Sequence, residues 1–230
     1  MCFSNSLLPR LPLRTAVLLT AAISIGVGST AAARKKGEEP VEAEPQTATR
    51  QRLRPARLDV IDSLSFTIAE QARISNEVRA EYDSAVGLLE QQQYDQGISL
   101  LVVVTAKAPE LTAPYINLGM AYARVGDLER AESSFQTALE RNPEHPVVLN
   151  ELGLLYRETG RFAAARESYE KALAVHAGFH FAHRNLAILC DIYLNDLPCA
   201  LEHYEAYSQA VPDDKEAAIW VADLRGRVSQ

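Results

Sequence analysis

The sequence predicts an all-α fold, a solenoid of antiparallel helix pairs. Three observations predict it. The stretches NLGMAYARVGDLERAESSF, from Asn117, and ELGLLYRETGRFAAARESY, from Glu151, repeat one pattern 34 residues apart. Within each, large apolar and small residues recur at helical intervals rather than in the alternation of a strand. A glycine, Gly126 or Gly160, stands mid-pattern among polar residues, where one helix would stop and the next begin.

Taken in order, the chain opens on Arg10 and Arg14, followed by an uncharged run from Ala16 to Ala33 ending in small residues. A basic start, an apolar middle and an Ala31-x-Ala33 end describe a signal peptide over 1–33 and a periplasmic or exported product. An uncleaved anchor stays open on length alone, because 18 residues sit at the lower edge of what spans a bilayer. Both readings place the folded part outside the cytoplasmic membrane, and the N-terminal segment would bring it near a membrane if it stays attached. Residues 34–60 are rich in Pro, Glu and Arg and read as a disordered linker. The segment DSLSFTIAEQARIS then predicts an N-terminal capping helix over 61–77, with Asp62 or Ser63 as its N-cap.

Counting from Thr112, the positions Tyr115, Leu118, Gly119, Tyr122, Ala131, Phe135, Ala138 and Pro143 are matched from Pro146 onward by Leu149, Leu152, Gly153, Tyr156, Ala165, Tyr169 and Ala172. This pattern resembles the tetratricopeptide repeat, whose small residues let two helices approach closely. The resemblance implies a right-handed superhelix of about four repeats, over 78–111, 112–145, 146–179 and 180–214. The first and last repeats are degenerate. In the first, SLLVVVTA has strand propensity, but its frame places it in a second helix. In the last, an extra residue within CDIYLNDLPCA shifts everything from Ala200 by one place. A capping helix over 215–230 would bury Trp220, Ile219 and Leu224.

Charge narrows the function. From Ile61 onward there are 25 acidic and 14 basic residues, a balance of −11. That excludes a nucleic-acid footprint. No phosphate-cradling glycine loop or nucleophile elbow is present, so the sequence reads as non-enzymatic and without a cofactor. His176, His180 and His183 cluster at a repeat boundary, but no Cys or Asp completes a ligand spacing, and they read as packed or solvated. Asn117, Glu151 and Asn185 share one frame position and read as local hydrogen-bonding groups. Cys190 and Cys199 would sit at similar heights on facing helices. In an oxidising compartment they would form a disulfide, the alternative being two small buried side chains.

The resemblance further implies that the first helix of each repeat lines a concave groove. The partner-binding residues expected there are Tyr82, Ile116, Met120, Arg124, Asn150, Leu154, Arg157, Phe181, Arg184 and Ile188. The family's carboxylate-clamping set does not assemble, since the paired lysines are missing. An apolar strip edged by charge suits a partner's helix or extended peptide. The sequence is thus read as a protein–protein adaptor of the bacterial envelope, serving a machine for pili, secretion, outer-membrane biogenesis or TonB-type transport. A peptidoglycan-associated or hydrolase-regulating module and a structural homo-oligomer are the alternatives.

Overall fold

The computed structural model describes residues 57–60, 66–69 and 74–229. The expected signal segment over 1–33 lies outside them. The described residues hold two short strands, β1 (Arg57–Val60) and β2 (Phe66–Ala69), and nine α-helices. The helices are α1 (Asn76–Glu90), α2 (Tyr94–Lys107), α3 (Ala113–Val125), α4 (Leu128–Arg141), α5 (Pro146–Glu158), α6 (Phe162–Val175), α7 (His180–Ile188), α8 (Leu197–Ala210) and α9 (Lys215–Val228). They pack as the hairpins α1–α2, α3–α4, α5–α6 and α7–α8, each against the next, with α9 on α8. The fold is an all-α helical repeat.

The expected capping helix over 61–77 is corrected. Residues 66–69 are strand, paired antiparallel with 57–60, and the pairing sets Leu58 opposite Ile68 and Val60 opposite Phe66. The β-branched and aromatic residues of FTIA outweigh the helical periodicity read across them. The same pairing takes 57–60 out of the expected linker. The first helix instead starts at α1, where the Ser75 hydroxyl accepts from the Val78 N–H at 3.2 Å. SLLVVVTA is helical within α2, because burial of Leu101 and Val104 against α1 and α3 overrides β propensity.

The helix pairs meet where the side chains are smallest. A Cβ placed on Gly119 would lie 2.5 Å from Cδ1 and Cε1 of Phe135, and one on Gly153 would lie 2.6 Å from Cδ1 of Tyr169. Each ring thus fills the space that a side chain on the facing helix would take. Ala131, Ala138, Ala165 and Ala172 are fully buried on the second helices. The turns need left-handed backbone, supplied by Gly126 (φ 83°) and Gly160 (φ 75°), while Gln92 (φ 61°) and Asn195 (φ 50°) hold the same role in the outer repeats.

Side-chain caps fix where the helices begin. Asp127, Asp196 and Asp214 accept from N–H groups of α4, α8 and α9. His145 does the same for α5, its Nδ1 accepting from the Val148 N–H at 3.4 Å. Burial holds its pKa down to about 4, so the ring stays neutral and able to accept. The inserted residue of the last repeat is absorbed as a π turn, Leu189–Tyr193, directly after α7. A π turn is one residue wider than an α turn, so the stripe of buried residues resumes on α8 at Ala200, Tyr204 and Tyr207. On α9, Val221 and Leu224 are buried and Trp220 half-buried, but Ile219 is 66 % exposed and is not part of the cap's inner face.

Candidate functional site: the inner face of the first helices

Successive first helices touch one another, α1 with α3, α3 with α5 and α5 with α7, whereas the second helices of neighbouring hairpins make no comparable contact. The first helices therefore line the inner side of the bend. The expected groove residues divide by burial. Tyr82, Ile116, Asn150, Arg157 and Ile188 are buried, and Ile116 is wholly inside the core of the first two hairpins. They support the inner face rather than present a surface. Met120, Arg124, Leu154, Phe181 and Arg184 are half-buried and keep part of their surface open. Frame arithmetic counted which residues share a helix face. It did not register how closely neighbouring first helices close over that face.

A polar ladder runs between the inner helices. The Asn117 side chain donates to the Tyr82 hydroxyl at 2.9 Å, and Asn185 donates to Asn150 Oδ1 at 2.9 Å, each pair 35 residues apart. Asn150 in turn donates to Glu151 Oε1 at 3.3 Å. These asparagines join one repeat to the next, a longer reach than the local bonding the sequence suggested. A register-setting role follows, since buried amides are costly unless paired.

Arg157 is 8 % exposed, and no protein group within hydrogen-bonding reach meets its Nη1 among the described residues. Its charge lies close enough to pull against the upward shifts of the Tyr169 and Tyr204 hydroxyls, both raised mainly by burial, Tyr204 to about 12. Arg184 lies over the rings of Tyr207 and Trp220, at 5.9 and 5.8 Å, and so ties α7 to α8 and α9. Asp191 receives Arg227 at 2.9 Å and pins α9 to the π turn.

Glu151 is the unusual acid. Its residue is partly open, yet its carboxylate is enclosed, and desolvation pushes its pKa up to about 7 against the pull of Asn150 and Arg124. Because the folded state binds this proton more tightly than the unfolded chain, stability falls as pH rises from about 4.5 to about 7. Glu151→Gln keeps the acceptor for Asn150 and removes the charge. It is expected to be more stable than the wild type by about 1–2 kcal/mol at pH 8 and to show no advantage at pH 4. Urea titrations at the two pH values measure this, and an equal difference at both rejects it. His145 acts with the opposite sign, its contribution being lost as pH falls from about 6.5 towards 4, and it cancels in the comparison because both proteins carry it.

Cys190 and Cys199 are joined, with Cα atoms 5.9 Å apart. Among the described residues, the three ligand-type groups within reach of one another are these two cysteines and Asp196, and the sulfurs are committed to the disulfide. The histidine trio of the sequence is not brought together. His180 is buried with its ring 4.0 Å from that of Phe181, His176 faces Phe179, and His183 meets His203 of α8 instead.

Residues 110–177 match the family description of the tetratricopeptide repeat. The anaphase-promoting complex subunit CDC16 of Saccharomyces cerevisiae is 34 % identical over 83 residues, 36 % of this chain. Those residues span 10 % of that relative's length. Among solved structures, that of the pilF protein of Pseudomonas aeruginosa superposes with a TM-score of 0.60 at 18 % identity, covering 67 % of this chain and 70 % of that one. A thermophilic TPR protein of Thermus thermophilus superposes with a TM-score of 0.57 at 23 % identity, covering 65 % and 81 %. At these identities the structural likeness establishes the fold.

Proposed function

Starting from a chain that belongs to the tetratricopeptide-repeat superfamily, we propose that it is a non-enzymatic adaptor that holds a partner's helix or extended peptide along the inner face of its first helices. One observation carries this reading. Met120 of α3, Leu154 of α5 and Phe181 of α7 present half-buried apolar surface across three consecutive hairpins, bordered by Arg124 and Arg184. A stepped apolar strip with charge at its margin suits the apolar face of an amphipathic segment, which would bury it against the strip while its polar groups meet the arginines. The asparagine pairs that tie α1 to α3 and α5 to α7 support a surface formed before a partner arrives.

The basic, then apolar, then small-residue start of the sequence supports placement in the bacterial envelope, where such an adaptor would serve an assembly or transport machine. Among the described residues no helix is long and apolar enough to cross a membrane. Photocrosslinkers at Met120, Leu154 and Phe181 test the site in the producing cell. One shared crosslinked protein is expected from all three, with none from Val102 or Val103, which lie exposed on α2. Substituting Met120 and Leu154 together by Ala is expected to abolish that crosslink from Phe181 while leaving helicity unchanged. Crosslinks from α2 alone, or capture indifferent to the double variant, would refute the assignment.

A further inference from the structure

We propose that His183 and His203 form a two-imidazole chelate for a borderline divalent transition metal ion, a Ni2+- or Zn2+-type cation, linking α7 to α8. The two Nδ1 atoms stand 3.0 Å apart across the hairpin. Imidazole nitrogens at about 2.0–2.1 Å from one ion, at angles of roughly 90–110°, lie about 2.9–3.4 Å apart, so both atoms already sit close to ligand positions. The ring centroids are 5.1 Å apart with a 42° tilt, which also fits two rings converging on one ion.

The protonation pattern prepares the pair. His183 Nε2 lies 2.8 Å from the Ala177 carbonyl oxygen. A carbonyl only accepts, so in the neutral ring Nε2 carries the proton and Nδ1 holds a lone pair facing His203. A backbone carbonyl orienting the remote nitrogen is the usual second contact of a metal-bound histidine. Without metal, His203 Nδ1–H donates to His183 Nδ1. On binding, the His203 proton moves from Nδ1 to Nε2, so both Nδ1 atoms offer lone pairs to the ion. Waters would complete the coordination.

The surroundings tolerate a cation. Arg166 is the nearby positive group, and its guanidinium is already held by Asp196 at 2.7 Å. Glu202, next to His203 on α8, adds negative charge. Burial and the neighbouring His183 hold the His203 pKa below the ordinary imidazole value, so the ring is neutral and available to an ion at pH 7. The disulfide closes the turn end of this hairpin, and the metal would clamp its far end.

Calorimetric titration of the purified full chain with Ni2+ and with Zn2+ at pH 7.5 tests the proposal. Saturable one-to-one binding is expected for each. It should weaken at least tenfold in His203→Gln and in His183→Gln, be unchanged in His176→Ala, and weaken when the pH is lowered to 5.5. Because substitution at His183 also removes the Ala177 contact, nitrogen-15 NMR of the wild-type imidazoles supplies a second measurement, in which both Nδ1 resonances should move on saturation. Binding of undiminished strength in His203→Gln, or stationary Nδ1 resonances at saturating metal, overturns it.

Discussion

Phe135→Ala is expected to lower the unfolding free energy by about 3–5 kcal/mol, the range for removing a fully buried aromatic ring. Phe135 is 1 % exposed and its ring lies against Gly119 of α3. Its removal leaves a void that neither helix can fill, since both are also fixed against α2 and α5. The converse change attacks the same contact. Gly119→Ala puts a methyl 2.5 Å from the ring. Overlap of that kind costs about 1–3 kcal/mol, from which the better helix propensity of Ala returns up to about 1. In the double variant the methyl enters the space the ring has left, so the loss should be smaller than the sum of the single losses by about 1–2 kcal/mol. Denaturant unfolding of the four proteins measures the cycle. Strict additivity would show that the ring and the glycine do not face each other.

The disulfide gives the second large effect. It closes a loop of nine residues' separation around the π turn. In the chain-entropy account such a loop restrains the unfolded state by about 2–3 kcal/mol, which for a folded region of this size corresponds to roughly 5–10 °C in Tm. Replacing both Cys190 and Cys199 by Ala should therefore lower Tm by that amount. Cys190 is fully buried beside Leu189 and Leu186, so alanine leaves it in apolar surroundings and the change reads mainly the lost cross-link. Because repeats lean chiefly on their neighbours, the loosening should be concentrated in α7, α8 and α9. Hydrogen exchange would show faster opening there and little change in α1 to α4. Equal exchange along the whole array, or a Tm indifferent to reductant, would contradict this.

Much of the fold was legible in the sequence. The 34-residue spacing and the close helix approach at its small residues survive translation into coordinates almost unchanged, and the structure adds that Gly119 meets Phe135 and Gly153 meets Tyr169. The one-residue shift in the last repeat was visible as a break in the frame, and it became the π turn. The region before α1 was misjudged. A short segment such as FTIA carries too few turns to distinguish helical from strand periodicity, and its pairing partner lies in a stretch whose polar composition suggested no order.

The inner face was half legible. Sequence position places Ile116 and Met120 on the same side of α3, yet one is enclosed by neighbouring helices and the other remains partly open. The meeting of His183 with His203 was also invisible, because the sequence pairs histidines by their distance along the chain, whereas these two face each other from antiparallel helices.

What the sequence alone determined is the repeat. Backbone approach at glycine and alanine is a local property of residue size, and it recurs wherever the residues recur. What only the tertiary structure decided is which inner positions stay open, which polar groups pair across repeats and which acid is driven to hold its proton. Those depend on desolvation by neighbours tens of residues away, and desolvation is set by how hairpins stack, which no single repeat contains.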